Sequence, residues 1–351
     1  MKAASIELRD VTKLYGDVAA VRDISFTVAA GTLVTLLGPS GCGKTTTLRL
    51  IAGLELPTRG AVLIGGDDVS QIAASERNVS MVFQSYALFP HMSVLENVRY
   101  GLIVSGMAKA QADARAQATL ATVSLTGFDA RLPSELSGGQ QQRVAVARAL
   151  VLEPEVLCFD EPLSNLDAKL RRRVREDIRE LQQRLGLTVA YVTHDQQEAL
   201  AVSDRIIVMD HARIAQSGTP RELYEAPVSL FVADFVGDSN LVDAELTARN
   251  GVAGQVRVGG VELRLPHRGA GVGPVKVAVR PESLRLSATP PLGPALEGRL
   301  AKAAYLGTHM EYTVSTPVGE LFVVDRLVTR PAPAGTPVWV SFEDHGVTVV
   351  P

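Results

Sequence analysis

The stretch "GTLVTLLGPSGCGKTTTLRLIAGL", residues 31–54, limits the possible folds more than any other part of the chain. An apolar β-type run breaks at a glycine-rich turn and passes directly into a helical pattern. Within it, Gly38–Thr45 reads G-x-x-x-x-G-K-T. Gly38, Gly41 and Gly43 let the backbone wrap an anion without Cβ clashes, so that successive N–H groups, those of Ser40 and Cys42 included, point inward. The helix that opens at the turn adds its unpaired N–H groups and its dipole. Lys44 is placed to meet the β- and γ-phosphates of a nucleotide, Thr45 offers a hydroxyl to Mg2+, and Thr46 extends the donor set. A strand before and a helix after complete the context this pattern requires.

Further short apolar runs, "RNVSMVF", "VLCFD", "TVAYVTH" and "DRIIVMD", alternate with helical stretches such as Leu166–Leu185 and Gln196–Ala201. That alternation predicts an α/β fold with a mainly parallel sheet and functional groups at the strand ends. "VLCFDE" fits a buried strand ending in two acids. Asp160 is suited to hold the metal, and Glu161 is then free to polarise an attacking water. From about Ser93 to Leu150 the pattern is mainly helical, as an inserted helical subdomain (about 86–156) would be. Composition shifts near Gly237–Asn240, and short β-type runs broken by Gly/Pro segments follow. Residues 1–238 are therefore expected to form the nucleotide domain, and 239–351 a small all-β, barrel-like domain. "RPE", Arg280–Glu282, is expected at a turn or strand end.

A net charge of −3 gives no general electrostatic reason to bind nucleic acid or anionic lipid. Cys42 and Cys158 lie far apart without metal-type spacing, so neither a disulfide framework nor an oxidising compartment is expected. The N-terminal "MKAASIELRD" alternates like a strand rather than a signal peptide. No run approaches the roughly 18 apolar residues that span a bilayer, so any membrane role must come through a partner.

A second glycine-bearing helix start occurs at "LSGGQQQRVAVARAL", Leu136–Leu150. Ser137-x-x-Gln140 is a capping box, which accounts for the helix start but not for Gly138 and Gly139. The segment resembles the signature motif of the ATP-binding-cassette (ABC) ATPases. In that family the signature of one subunit faces the nucleotide held by another. The resemblance implies that Ser137, Gly138, Gly139 and Gln140 complete the γ-phosphate site of a second copy, with ATP and Mg2+ as cofactors and a homodimer as the working unit. Tyr15 in "KLYG" matches the aromatic that stacks on adenine. Gln84 in "MVFQSYALFPHMSVLENV" matches the glutamine that joins metal and water to the helical subdomain. "SNLD", Ser164–Asp167, matches a loop that crosses the dimer interface, and His194 matches the switch histidine at the γ-phosphate.

Within the family the chain is most similar to ATP-binding subunits of importers for small solutes. "LFPHMSVLENV" resembles the groove that receives a permease helix, and "VAVRPESLRL" and "YLGTHMEYTV" resemble the transport-associated OB-like (TOBE) module. Gly38–Leu48, Met81–Gly101 and Tyr191–Asp204 are most similar to ferric-iron importer subunits. Polyamine, sugar-phosphate and aminoethylphosphonate importers share much of this wording. The resemblance implies Lys44, Gln84, Glu161 and His194 as catalytic and Thr45, Gln84 and Asp160 as metal-holding. It implies permease and solute-binding-protein partners, no nucleic acid, and a peripheral position on the cytoplasmic face of the membrane. Two other classes are soluble ABC proteins acting on nucleic acid or ribosomes, and P-loop kinases or GTPases. The first usually carry two cassettes or a long coiled-coil insertion; the second do not need Leu136–Gln140 or His194.

Overall fold

A computed structural model describes residues 3–327 and 332–351. Two units divide at Pro220/Arg221. In the first, β1 (Ile6–Tyr15) buries Ile6, Leu8 and Val11 and pairs antiparallel with β2 (Val18–Val28). The chain then runs through β3 (Leu33–Leu37), every residue of which is buried, into α1 (Lys44–Ala52). β4 (Arg59–Ile64) and β5 (Asp67–Asp68) complete an antiparallel sheet of order β2-β1-β4-β5. Of this sheet the sequence reading foresaw only the first strand.

Next come β6 (Val79–Val82), α2 (Val94–Val104), α3 (Lys109–Thr122) and α4 (Gly138–Leu150). β7 (Val156–Asp160), α5 (Ala168–Leu185), β8 (Thr188–Thr193), α6 (Gln196–Val202), β9 (Arg205–Asp210) and β10 (Arg213–Gly218) follow. The second sheet has the order β10-β9-β3-β8-β7-β6, parallel except for its β9–β10 edge. Alternate residues of its strands enter different cores. Leu157, Phe159, Val189 and Tyr191 pack with the helical segment and α5. Val156, Cys158, Ala190 and Val192 pack with α1 and the antiparallel sheet. A sheet covered on both faces needs continuously apolar strands, which is why "TVAYVT" is buried throughout. α5 meets it with a stripe of Val174, Ile178 and Leu181. Burying each such side chain contributes about 1.5–3 kcal/mol.

The second unit opens with α7 (Pro220–Glu225) and α8 (Leu230–Phe235). Strands β11 (Asn240–Asn250), β12 (Ala253–Val258), β13 (Val261–Pro266), β14 (Gly273–Val279) and β15 (Leu284–Ser287) come first. β16 (Ala295–Tyr305), β17 (Met310–Thr316), β18 (Gly319–Asp325), β19 (Pro337–Phe342) and β20 (Val347–Val350) follow. They form two antiparallel sheets, β13-β12-β11-β14-β20 and β15-β19-β16-β17-β18, around one apolar core. The composition change near Gly237–Asn240 coincides with the start of β11, whereas the compact unit reaches back to Arg221. Arg280, only 2% exposed, explains the difference. From the end of β14 it donates to the carbonyls of Tyr224, Ala233 and Gly237 and to Ser239 Oγ, tying the two short helices to the β-sheet.

Candidate nucleotide-binding site

Strand register decides where the sequence-predicted residues meet. Leu37 pairs with Thr193 across β3 and β8, and Asp160 pairs with Val192 across β7 and β8. The residues just past these pairs, Gly38, His194 and Glu161, therefore leave the parallel sheet along one edge, at the carboxyl ends of its strands. A crevice there is the general place for a ligand in such folds.

Gly38–Lys44 forms a tight turn at that edge. A Cβ on Gly38 would lie 2.3 Å from the Met209 carbonyl oxygen, and one on Gly43 would lie 2.4 Å from that of Ala20. Gly43 also caps α1 at φ 105°, where only glycine is unstrained. Gly41 is different: it has φ 79°, but a Cβ there would meet nothing within 4 Å. Ser40 and Gly41 are exposed, and Thr45 and Thr46 half-buried. Lys44 is buried and turned onto its own loop, donating to the carbonyls of Gly38 at 2.7 Å and Pro39 at 2.8 Å. Its ammonium is thereby satisfied by carbonyl oxygens. Cys42 is buried beside it, with Sγ 3.9 Å from Lys44 Nζ, and burial pushes the thiol pKa up.

Thr45 Oγ1 donates to Asp160 Oδ1 at 3.2 Å. Burial raises the Asp160 carboxyl above its ordinary range, opposed by the Thr45 hydrogen bond. An alcohol and a carboxylate side by side are hard oxygen donors of the kind Mg2+ takes, and a cation would offset the desolvation of Asp160. The donor set therefore fits the metal. Glu161 sits at φ 45°, a left-handed conformation that a non-glycine residue adopts only under constraint, and its N–H is held by the Val192 carbonyl at 3.0 Å. Its Oε2 lies 3.1 Å from His194 Nδ1. His194 is 59% exposed, against 22% for Glu161, so the imidazole stands at the mouth of the edge.

Gln84 is exposed in the turn after β6, and its carbonyl accepts from Asn165 Nδ2 at 3.1 Å. Tyr86 and Ala87 beyond it have positive φ. Arg148 of α4 donates to both their carbonyls, at 2.8 and 2.6 Å, and fixes the turn to that helix. Ser137 caps α4 in a complete box with Gln140: the Ser137 N–H donates to Gln140 Oε1 at 2.9 Å, and the Gln140 N–H to Ser137 Oγ at 3.4 Å. Its two glycines lie against α5 and the loop before it. A Cβ on Gly138 would be 3.1 Å from Leu166, and one on Gly139 would be 3.0 Å from Leu170. Tyr15 is exposed at the end of β1, with Lys13 Nζ 5.0 Å from its ring centroid.

A family model described as "ABC transporter" matches residues 21–164, and one described as "TOBE domain" matches 277–350. The chain is 58% identical over 350 residues to the Fe(3+) ions import ATP-binding protein FbpC of Rhizobium etli, covering 100% of this chain and 99% of that protein. The Escherichia coli protein of the same name is 46% identical over 346 residues, covering 98% and 97%. The chain belongs to the ABC transporter ATPases. A solved structure of the cassette MJ0796, dimeric and bound to ADP and Pi after hydrolysis, superposes with TM-score 0.55 at 33% identity. It covers 62% of this chain, and 99% of the MJ0796 chain is matched.

For this ABC ATPase, sequence reasoning missed residues that hold the motifs in place. Arg148, Arg171 and Glu198 each bind a motif segment from elsewhere in the fold. Their supporting role has no sequence signal, since an arginine in the middle of a helix reads as a solvated charge until its carbonyl partners are known.

Proposed function

We propose that this ABC ATPase hydrolyses ATP between two copies of itself and so drives ferric-iron import through a membrane permease. One observation carries the catalytic part. The sheet register brings the glycine cradle, the Thr45–Asp160 pair and the Glu161–His194 pair to a single edge. Similarity over the whole chain to Fe(3+) import ATP-binding proteins carries the choice of solute.

In this reading the N–H groups of Gly38–Thr45 and the opening of α1 receive the phosphates, and Lys44 exchanges its loop carbonyls for the β- and γ-phosphates. Tyr15 stacks on the adenine. Thr45 and Asp160, with Gln84, would hold Mg2+, which offsets the charge gathering on the phosphoryl oxygens. Glu161 accepts a proton from an in-line water, and His194 orients the γ-phosphate and the carboxylate that it already touches. Ser137, Gly138, Gly139 and Gln140 of the partner copy close the site, because an α4 N-terminus adds a second set of N–H groups and a second dipole to those of α1. Hydrolysis leaves two anionic products between the chains, which then separate. Gln84, on the turn gripped by Arg148, passes that change to the helical segment and on to the permease. Among the described residues no helix is long and apolar enough to cross a membrane. In this reading the chain sits peripherally on the cytoplasmic face through the permease, which its similarity to import ATP-binding proteins supports, and an external binding protein delivers the solute.

Glu161→Gln tests the chemistry. Turnover should fall at least 100-fold while Mg-ATP binding persists and nucleotide-trapped dimers accumulate; near-normal hydrolysis would remove Glu161 from this role. The solute is tested by uptake with the cognate permease and binding protein, Fe3+ against polyamines and sugar phosphates. ATP-dependent uptake of one of the competitors alone would reassign it.

A further inference from the structure

Residues on both sides of His194 are tied to one residue, Glu198: Thr193 to its buried side chain and Asp195 to its backbone N–H. Thr193 Oγ1 donates to Glu198 Oε2 at 2.7 Å and accepts from the Asp195 N–H at 3.0 Å. Asp195 Oδ1 in turn accepts from the Glu198 N–H at 2.9 Å, which closes a ring through Thr193, Asp195 and Glu198. The other Glu198 oxygen accepts from the Tyr191 hydroxyl. Glu198 is 4% exposed, on the first turn of α6.

The cost of this arrangement shows that helix formation alone does not explain it. Asp195 already caps α6, and a buried carboxylate facing two hydroxyls is costly compared with an apolar residue of the same size. What the ring fixes is the backbone of the residue between its anchors. His194 itself is largely exposed, and its contact with Glu161 is the one polar side-chain contact it shows among the described residues. Its imidazole cannot be oriented by packing, so its direction is inherited from the chain at 193–195. The ring also reaches the Ser164–Asp167 loop. Arg171 of α5 lies 3.4 Å from Asp195 Oδ2 and donates to the Leu166 carbonyl at 3.0 Å.

We infer that Thr193 and Glu198 are positioning residues that set His194 against Glu161. The inference rests on the proposed role of the Glu161–His194 pair and adds to it the part of the fold that holds the pair in place. A displacement of about 1 Å at a reacting group is enough for losses of the order of a hundredfold, so loosening the ring should lower turnover without weakening nucleotide binding.

The test is steady-state Mg-ATP hydrolysis by the full-length chain. Thr193→Val keeps the shape of the side chain and removes the hydroxyl that joins the ring. It should lower kcat about tenfold or more with the KM for ATP within about twofold. Thr193→Ser, which restores the hydroxyl, should recover kcat to within about twofold of the parent. If Thr193→Val fails to fold, Glu198→Gln carries the same measurement, because it keeps the size and removes one acceptor. Unchanged kcat in the folded variant overturns the inference. So does a rise in KM parallel to the fall in kcat with no rescue by serine, which is the behaviour of a merely structural residue. His194→Ala separates the two levels. Unaltered turnover there sinks the catalytic reading of His194 and this inference with it. A collapse there beside a normal Thr193→Val sinks only the positioning role.

Discussion

At Gly43 the chain has no room for a side chain and no left-handed tolerance to spare; at Gly41 it has room but the same handedness. The two glycines look alike in the pattern, yet the structure gives them different reasons. A methyl at Gly43 would sit 2.4 Å from the Ala20 carbonyl at φ 105°, whereas one at Gly41 would meet nothing at φ 79°. Gly41→Ala should cost about 1 kcal/mol, the strain of a left-handed alanine. Gly43→Ala should cost about 3 kcal/mol or more, because the backbone of β2 must also move. Chemical denaturation of the two variants measures the gap, and equal losses would mean that the close approach is not felt. Glu161 presents the opposite case, a side chain held where glycine would be at ease, at φ 45°. Glu161→Gly and Glu161→Ala should both be inactive, but the glycine variant should be the more stable by about 1 kcal/mol, since it alone releases the strain. An alanine variant of equal or greater stability would show that the conformation costs nothing.

Among the elements, α4 separates the ordinary role of a motif from its proposed one. Ser137 is a working N-cap whatever else it does. Ser137→Ala should cost about 1 kcal/mol of stability. Ser137→Asp should keep the cap and favour the helix dipole, yet place a negative charge where the partner's γ-phosphate is proposed to sit. It should therefore leave the melting temperature near that of the parent and abolish ATP-driven dimerisation in a Glu161→Gln background, as read by sedimentation. Normal dimerisation of the aspartate variant would return Ser137 to the role of a cap. The same helix shows what a sequence can and cannot display. Strands β3, β7, β8 and β9 were legible because burial on both faces favours largely apolar runs, β6 as a short half-buried run at the sheet edge, and the cradle because its glycines and Lys44 are adjacent in the chain. The sheet β2-β1-β4-β5 was mostly hidden. β2, "VAAVRDISFTV", is half exposed, with register shifts against β1 that blur its alternation. The supports were hidden too. Arg148 serves the turn at Tyr86–Ala87, and Glu198 serves Thr193, and neither pairing is visible before the fold brings the partners together.

Over the whole molecule, the two units have separate cores, and the chain carries a probe for each. The single tryptophan, Trp339, lies in β19 of the second unit, while the longer helices, α1–α6, belong to the first. Tryptophan fluorescence therefore follows the β unit, and helical circular dichroism follows mainly the ATPase unit. Arg280 is the handle on the β unit. Replacing it by Ala removes its bonds to the carbonyls of Tyr224, Ala233 and Gly237 and to Ser239 Oγ, at a cost of about 3 kcal/mol or more. Lys cannot replace the planar fork that serves them together. Mg-ATP is the handle on the other unit. At about 100 times its dissociation constant it adds roughly 2.7 kcal/mol to whatever binds it and nothing to what does not. In the Glu161→Gln background, where the ligand survives, Mg-ATP should raise the dichroism transition and leave the fluorescence transition in place. Arg280→Ala and Arg280→Lys should lower the fluorescence transition and leave the dichroism transition in place. If each perturbation instead moves both transitions together, the units unfold as one body, and the separate cores do not make them independent in stability.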